Sequence, residues 1–72
     1  MNETQCRIVG ALIHDWQVDN GEAKEVRIAK YSHDTYLVTL EGRFVEGNGH
    51  VGGHTPREGY YIGANGKVTR QS

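Results

Sequence analysis

The chain has 72 residues, with 8 basic and 9 acidic side chains and a formal net charge of −1. This length predicts one domain, and so short a chain buries only about 60% of the surface that its unfolded form exposes. The near-balanced charge argues against non-specific DNA binding, which depends on neutralising many phosphates. A single cysteine, Cys6, excludes an internal disulfide. We therefore expect the chain to gain stability by association, as a homo-oligomer.

Apolar segments are short throughout the chain. The longest, residues 8–13, cannot span a bilayer, so we expect no membrane partner. Residues 1–5 lack the positively charged region that begins a signal peptide. Together with the lone thiol, these features predict a soluble, cytoplasmic protein.

Residues 3–18 have the pattern of an amphipathic helix. Apolar side chains recur at the i, i+3, i+4 and i+7 spacing that places them on one helical face: Val9, Leu12, Ile13 and Trp16. Cys6 lies in the first turn of this predicted helix, where we expect it to face or border the core. A buried structural thiol is a commoner case than a catalytic nucleophile.

The ends of this segment carry helix signals. Asn2 and Gln5 have the spacing of a capping box, and Gly21 stands where a helix commonly ends. The alternative is a strand over residues 6–18, with residues 19–21 as a hairpin turn. That alternative requires both faces of the first segment to be buried.

Two β-prone segments follow. Residues 24–31 alternate between apolar and polar side chains, and residues 36–45 form the densest run of β-branched and aromatic side chains. Only a short polar break, residues 32–35, separates them, so they predict an antiparallel hairpin. Gly42 interrupts the second run and is typical of a bulge.

The last third of the chain divides into a loop and a hairpin. Residues 47–59 hold five glycines and one proline and predict an irregular loop, whose length suggests function or flexibility. Residues 60–64 and 67–70 flank Asn65 and Gly66. Asn-Gly between β-prone segments predicts a hairpin closed by a two-residue type I′ turn.

These elements predict an α+β fold, with the N-terminal helix packed on a four-stranded antiparallel sheet. The alternative is an all-β protein, a small five-stranded barrel in which the first segment is a strand. The predicted core consists of apolar and aromatic side chains from every element: Val9, Leu12, Ile13, Trp16, Val26, Ile28, Tyr36, Val38, Leu40, Phe44 and Ile62.

The glycine-rich loop holds candidate binding residues. His50 and His54 flank a glycine pair, and two histidines with a carboxylate suit zinc or a similar metal. A third ligand would come from a nearby residue: His33, Asp34 or Glu46. The glycine amides with Arg57 could instead bind an anion. The alternative interpretation is that these are solvent-exposed loop side chains, and we predict no cofactor.

The sheet offers a candidate nucleic-acid site. Exposed tyrosine beside arginine on a sheet stacks single-stranded bases and holds their phosphates. The residues assigned to this site lie on or beside the predicted strands: Arg27, Tyr31, Arg43, Tyr60, Tyr61 and Lys67. Because Tyr60 and Tyr61 are adjacent, one of them should point outward. The alternative is an ordinary solvated sheet face with cross-strand charge pairs.

The sequence gives little support for catalysis. The pairs His14-Asp15 and His33-Asp34 are sequence neighbours, and we expect such neighbours not to face one another. We therefore predict a small non-catalytic interaction or regulatory protein that binds an unidentified protein partner through a sheet face or edge. The alternatives are an RNA or single-stranded DNA binder and a metal- or anion-binding loop protein.

Overall fold

A computed structural model describes residues 1–42 and 57–71. One helix precedes four strands: α1 (Glu3–Asn20), β1 (Ala23–Lys30), β2 (Tyr36–Gly42), β3 (Glu58–Ile62) and β4 (Val68–Arg70). The strands form one antiparallel sheet in the order β1-β2-β3-β4, and α1 packs on one of its faces. This architecture confirms the predicted α+β fold, so the barrel alternative is not needed.

The helix begins at the predicted capping box. The Gln5 N–H donates to Asn2 Oδ1 at 2.7 Å, and the Asn2 N–H donates to Gln5 Oε1 at 2.9 Å. The helix continues two residues beyond the predicted end, and the N–H of Gly21 donates to the carbonyl of Gln17 at 2.8 Å. Gly21 has φ +86°, a conformation that favours glycine, so it ends the helix as predicted.

The apolar stripe of α1 packs on the sheet as predicted, but its first turn differs. Val9 and Trp16 are buried, whereas Cys6 is exposed. Gln5 takes the buried position, because residues four and eleven apart share a helical face with it. Its Nε2 donates to the carbonyls of Asp34 at 2.8 Å and Ile62 at 3.2 Å. The expectation that Cys6 borders the core was therefore wrong.

The strand register separates two faces of the sheet. In β2, Val38 and Leu40 face α1 and are fully buried with Ile62 of β3. Side chains alternate between faces, so odd-numbered residues of β2 and β3, and of β1 from Glu25 onward, lie on the other side, which we call the open face. Tyr36 is half-buried, and Phe44, also predicted for the core, lies outside the described residues.

Two predicted core residues of β1 are exposed. Val26 and Ile28 pair with Leu40 and Val38, which places them on the helix side of the sheet. Their exposed fractions are nevertheless 39% and 45%. The reason is that β1 is an outer strand, and the buried residues beneath α1 come from β2 and β3. The core therefore reaches only the start of β1, where the partly buried Ala23 packs against it.

The β3–β4 hairpin is confirmed, but its turn differs from the prediction. The Gly66 N–H donates to the carbonyl of Gly63 at 2.9 Å, and the Gly63 N–H donates to the carbonyl of Lys67 at 2.9 Å. Gly66 has φ +89°. The connection is therefore a three-residue loop with a glycine at positive φ, not a two-residue type I′ turn.

Two smaller boundaries also differ from the sequence prediction. Glu58 and Gly59, which the sequence assigns to the glycine-rich loop, begin β3 because they pair with Leu40 and Thr39. The predicted bulge lies at the β1–β2 register shift, where Lys24 is the extra residue opposite the end of β2.

Candidate functional site

The open face brings together three of the six residues predicted to bind nucleic acid. Arg27 and Tyr61 lie on this face by register. Tyr31 follows β1, and its ring centroid lies 4.6 Å from that of Tyr61 with the planes tilted by 56°. Tyr31 is 63% exposed, which leaves it accessible to a planar ligand.

Of the other three predicted residues, two do not join this group and the third is not described by the structure. Tyr60 lies on the helix side of the sheet and packs against the core, so the outward member of the tyrosine pair is Tyr61. Lys67 lies in the β3–β4 loop, and Arg43 lies outside the described residues.

The charge on the open face is mixed. Arg27 Nε donates to Glu25 Oε1 at 2.8 Å, and this hydrogen bond, with the charge of Glu25, raises the pKa of Arg27. Glu25 lies directly opposite Glu41 of β2. Like charges placed opposite each other in a sheet destabilise the pairing. One guanidinium group therefore faces two carboxylates here.

The predicted loop site is not described. His50 and His54 lie outside the described residues, and Arg57 is exposed just before β3. Within residues 1–42 and 57–71, no three His, Cys, Asp or Glu side chains are close enough to hold a metal ion. The metal or anion site stays a prediction.

One of the two His-Asp neighbour pairs makes a contact that the sequence analysis did not expect. His33 Nε2 lies 3.5 Å from Asp34 Oδ1 in the β1–β2 turn, and both side chains are largely exposed. The expectation that these two do not approach was wrong, since a turn lets adjacent side chains fold toward each other.

The outer edge of β1 has a defined hydrogen-bonding direction. The Tyr31 N–H donates to the carbonyl of Thr35 at 2.9 Å, which continues the β1–β2 register. Backbone groups of successive residues point alternately to the two sides of a strand. From Glu25 onward, odd-numbered residues of β1 therefore bond to β2, whereas Val26, Ile28 and Lys30 point their N–H and C=O groups away from the sheet. No described residue pairs with this edge.

A second polar group lies around Glu58 of β3. Its Oε2 accepts hydrogen bonds from the Trp16 Nε1–H at 3.0 Å and the Tyr60 hydroxyl at 2.5 Å, and its Oε1 accepts from Arg70 Nη2 at 3.1 Å. Burial, followed by the bond to Glu58, raises the pKa of Tyr60. These residues line an open cleft of about 370 Å³ with Asp15.

The sequence pattern did not indicate the group formed by Glu58 and its three donors. Glu58 and Tyr60 alternate on the helix side of β3, and a buried tryptophan needs an acceptor for its indole N–H. Those two signals point to Glu58 once its place in a strand is known. Since all three donors converge on one carboxylate, we interpret the group as a link between α1, β3 and β4.

Comparison with known proteins adds no relative. The chain matches no protein-family model, no curated protein and no solved structure. Among the described residues, no helix has the length and apolar content needed to cross a membrane.

Proposed function

We propose that the protein is a small, non-enzymatic interaction protein that binds another polypeptide by adding a strand to the edge of β1. One observation carries this proposal. Val26 and Ile28 expose apolar surface on an outer strand, and their backbone groups point away from the sheet. Unpaired strand edges of this kind are templates for another chain.

The energetics favour an added strand. Each backbone hydrogen bond contributes about 0.5–1.5 kcal/mol, and full burial of a valine or isoleucine contributes about 1.5–3 kcal/mol. Val26 and Ile28 are roughly half-exposed, so part of that second term is still available. Proteins often protect such edges with lysine. Here Lys24 and Lys30 lie near the two ends of β1 and leave its centre accessible.

Peptides selected from a displayed random library on the immobilised protein would test this function. Introducing Val26→Lys together with Ile28→Lys should lower the affinity of the protein for the selected peptides by about tenfold or more, since the edge then carries two charges in place of its apolar surface. The control carries the same charge change on exposed apolar positions of α1, Ala11→Lys with Val18→Lys. Equal binding to the wild type and the β1 variant would refute the proposal.

We further propose that the protein acts in the cytoplasm. Cys6 is an exposed, unpaired thiol, which is typical of reducing compartments. Fractionation of cells that produce the protein, with Cys6 labelled by a membrane-impermeant thiol reagent before and after lysis, would check this location. Labelling before lysis would contradict it.

The open face supports a second candidate, binding of single-stranded nucleic acid. The observation in its favour is the exposed Tyr31 ring beside Tyr61, on the same face as Arg27. Aromatic side chains of this kind contribute about 1–3 kcal/mol per stacked base. Binding of a labelled oligonucleotide at low salt should fall as salt rises and fall again in Tyr31→Ala. No binding at low salt would remove this candidate.

A further inference from the structure

We infer that the strand accepted by β1 is β1 of a second copy of this chain, antiparallel, with Val26 opposite Val26 of the second copy. This inference rests on the proposed function and names its partner. It joins the two four-stranded sheets into one continuous sheet. Three features of β1 favour this pairing: the direction of its backbone groups, the order of its charges, and its exposed apolar side chains.

Two-fold symmetry limits the possible registers. When two identical antiparallel strands are related by an axis perpendicular to the sheet, one residue lies opposite itself. Centring on Glu25 or Arg27 would place like charges opposite each other, which is unfavourable. Centring on Ile28 would place Arg27 opposite Ala29 and overlap only residues 26–30. Centring on Val26 uses outward-pointing backbone groups at the centre and overlaps residues 23–29, with the bulge at Lys24 near each end of the overlap.

The Val26-centred register makes the charges complementary. Glu25 of each copy lies opposite Arg27 of the other, so two opposite-charge pairs form on the open face. In the single chain, Glu25 already contacts Arg27 and lies opposite Glu41. The second copy therefore places a guanidinium group on the side of Glu25 away from Glu41. The Glu25–Glu41 pair then has two guanidinium groups nearby, where one chain alone supplies only its own Arg27.

The helix side of the sheet is complementary as well. Val26 of the two copies would lie side by side, and Ile28 would lie next to Lys24 of the second copy, which is the extra residue of the bulge. The aliphatic stem of a lysine can cover an apolar neighbour while its ammonium group stays in water. Both exposed apolar residues of β1 thereby lose solvent contact.

A charge-exchange experiment tests the register. Arg27→Glu alone and Glu25→Arg alone should each weaken dimerisation by about tenfold or more, because each homodimer then has like charges opposite one another. An equal mixture of the two variants should recover a heterodimer of wild-type affinity. The matched control reverses the exposed pair on α1, with Arg7→Glu and Glu3→Arg tested separately. Those two variants should dimerise as the wild type does in sedimentation equilibrium.

The possible results test the register and the self-pairing separately. Single variants that dimerise like the wild type, or a mixture that stays monomeric, would overturn the register. A wild-type protein that is monomeric at its highest soluble concentration would overturn self-pairing. In that case amide hydrogen exchange at Val26 and Ile28 distinguishes failure of self-pairing from failure of the proposed function. Free exchange in the monomer would leave the β1 edge available to another protein. Protection in the monomer would overturn the proposed function too. Circular dichroism of each variant confirms that the exposed substitutions leave the fold intact.

Discussion

At the residue scale, Glu58 is a polar group that links α1 to β3. Its side chain is 16% exposed and accepts three hydrogen bonds from three different elements of the chain. Trp16, one of the donors, is 4% exposed, so its N–H has little access to water as a replacement. A buried donor without an acceptor is costly.

Removing this carboxylate should destabilise the fold. We expect Glu58→Ala to lower the free energy of unfolding by about 1–3 kcal/mol, because it leaves the Trp16 N–H unsatisfied. Glu58→Gln, which keeps an acceptor oxygen, should lose less. Urea unfolding followed by the fluorescence of Trp16, the only tryptophan, measures both. Glu22→Ala, at an exposed position, is the control, and an equal effect there would contradict this role.

Tyr60 gives the fold a dependence on alkaline pH. Burial and the hydrogen bond to Glu58 raise its pKa above the ordinary value of 10.0. The neutral phenol is thus favoured in the folded state. Its contribution is fully present below the unfolded pKa and is lost as pH rises through the raised folded pKa. Above about pH 10, the free energy of unfolding should therefore fall less steeply in Tyr60→Phe than in the wild type.

The matched control for that pH series is Tyr31→Phe, since Tyr31 is largely exposed. This variant should keep the wild-type slope between about pH 9 and pH 11. Unfolding is measured in guanidinium at each pH. Parallel slopes for Tyr60→Phe and the wild type would show that the Tyr60 phenol is not the titrating group.

At the element scale, two glycines have opposite roles. Gly66 has φ +89° in the β3–β4 turn, and a Cβ there would lie 3.1 Å from Thr4 Cγ2. Gly10 lies within α1, and a Cβ there would meet nothing within 4 Å. We expect Gly66→Ala to destabilise the protein by about 1–2 kcal/mol. Gly10→Ala should stabilise it by about 0.5–1 kcal/mol, because alanine is the better helix former.

Thermal and urea unfolding of the two alanine variants provide the measurement. The two substitutions add the same methyl group, so each is the control for the other. Destabilisation by Gly10→Ala would mean that the exposed face of α1 is packed against something. A neutral Gly66→Ala would contradict the positive φ.

Ile62 and Ile28 lie on the same side of the sheet, but their truncation should destabilise the protein by different amounts. Ile62 is fully buried and Ile28 is 45% exposed. Ile62→Ala should cost about 2–5 kcal/mol, as buried truncations do, whereas Ile28→Ala should cost about 1 kcal/mol or less in dilute protein. Urea unfolding at low concentration measures both without a contribution from association. A large loss for Ile28→Ala under those conditions would place Ile28 in the core of the single chain.

The sequence predicts these elements well where local pattern and tertiary packing agree. The stripe that includes Val9 and Trp16, together with the capping box, predicts α1 correctly because both signals act within a few turns. Val26 and Ile28 show the limit. Their alternation predicts the side of the sheet on which they lie, but burial depends on how far α1 reaches across the strands, and no local pattern encodes that distance.

The candidate sites show the same division. Alternation indicates that one of Tyr60 and Tyr61 points outward, yet only the register with β2 identifies Tyr61 as that residue. Glu58 was assigned to a loop on composition, since glycines precede and follow it. Its three donors come from α1, β3 and β4, and such long-range convergence is visible only once the strands are paired.

At the scale of the whole molecule, the fold leaves both outer strands of the described sheet largely exposed, and β1 is the longer of the two. The helix buries β2 and β3, while β1 stays exposed along nearly its whole length. A chain this short has little apolar surface to bury. About half of the Val26 and Ile28 side chains stays in water, so a sizeable contribution of apolar burial to stability is unused. Association through β1 would complete the sheet with residues that the chain already presents.

Amide hydrogen exchange at Val26 and Ile28, measured residue by residue as a function of protein concentration, tests this account most directly. Their N–H groups point away from β2, so they should exchange freely in dilute protein and become protected as the second copy binds. The neighbouring Arg27 amide, which bonds to β2, should be protected at every concentration and serves as the internal control. Protection of Val26 and Ile28 that is already complete in the dilute monomer would contradict the account, because β1 would then have no free edge to offer.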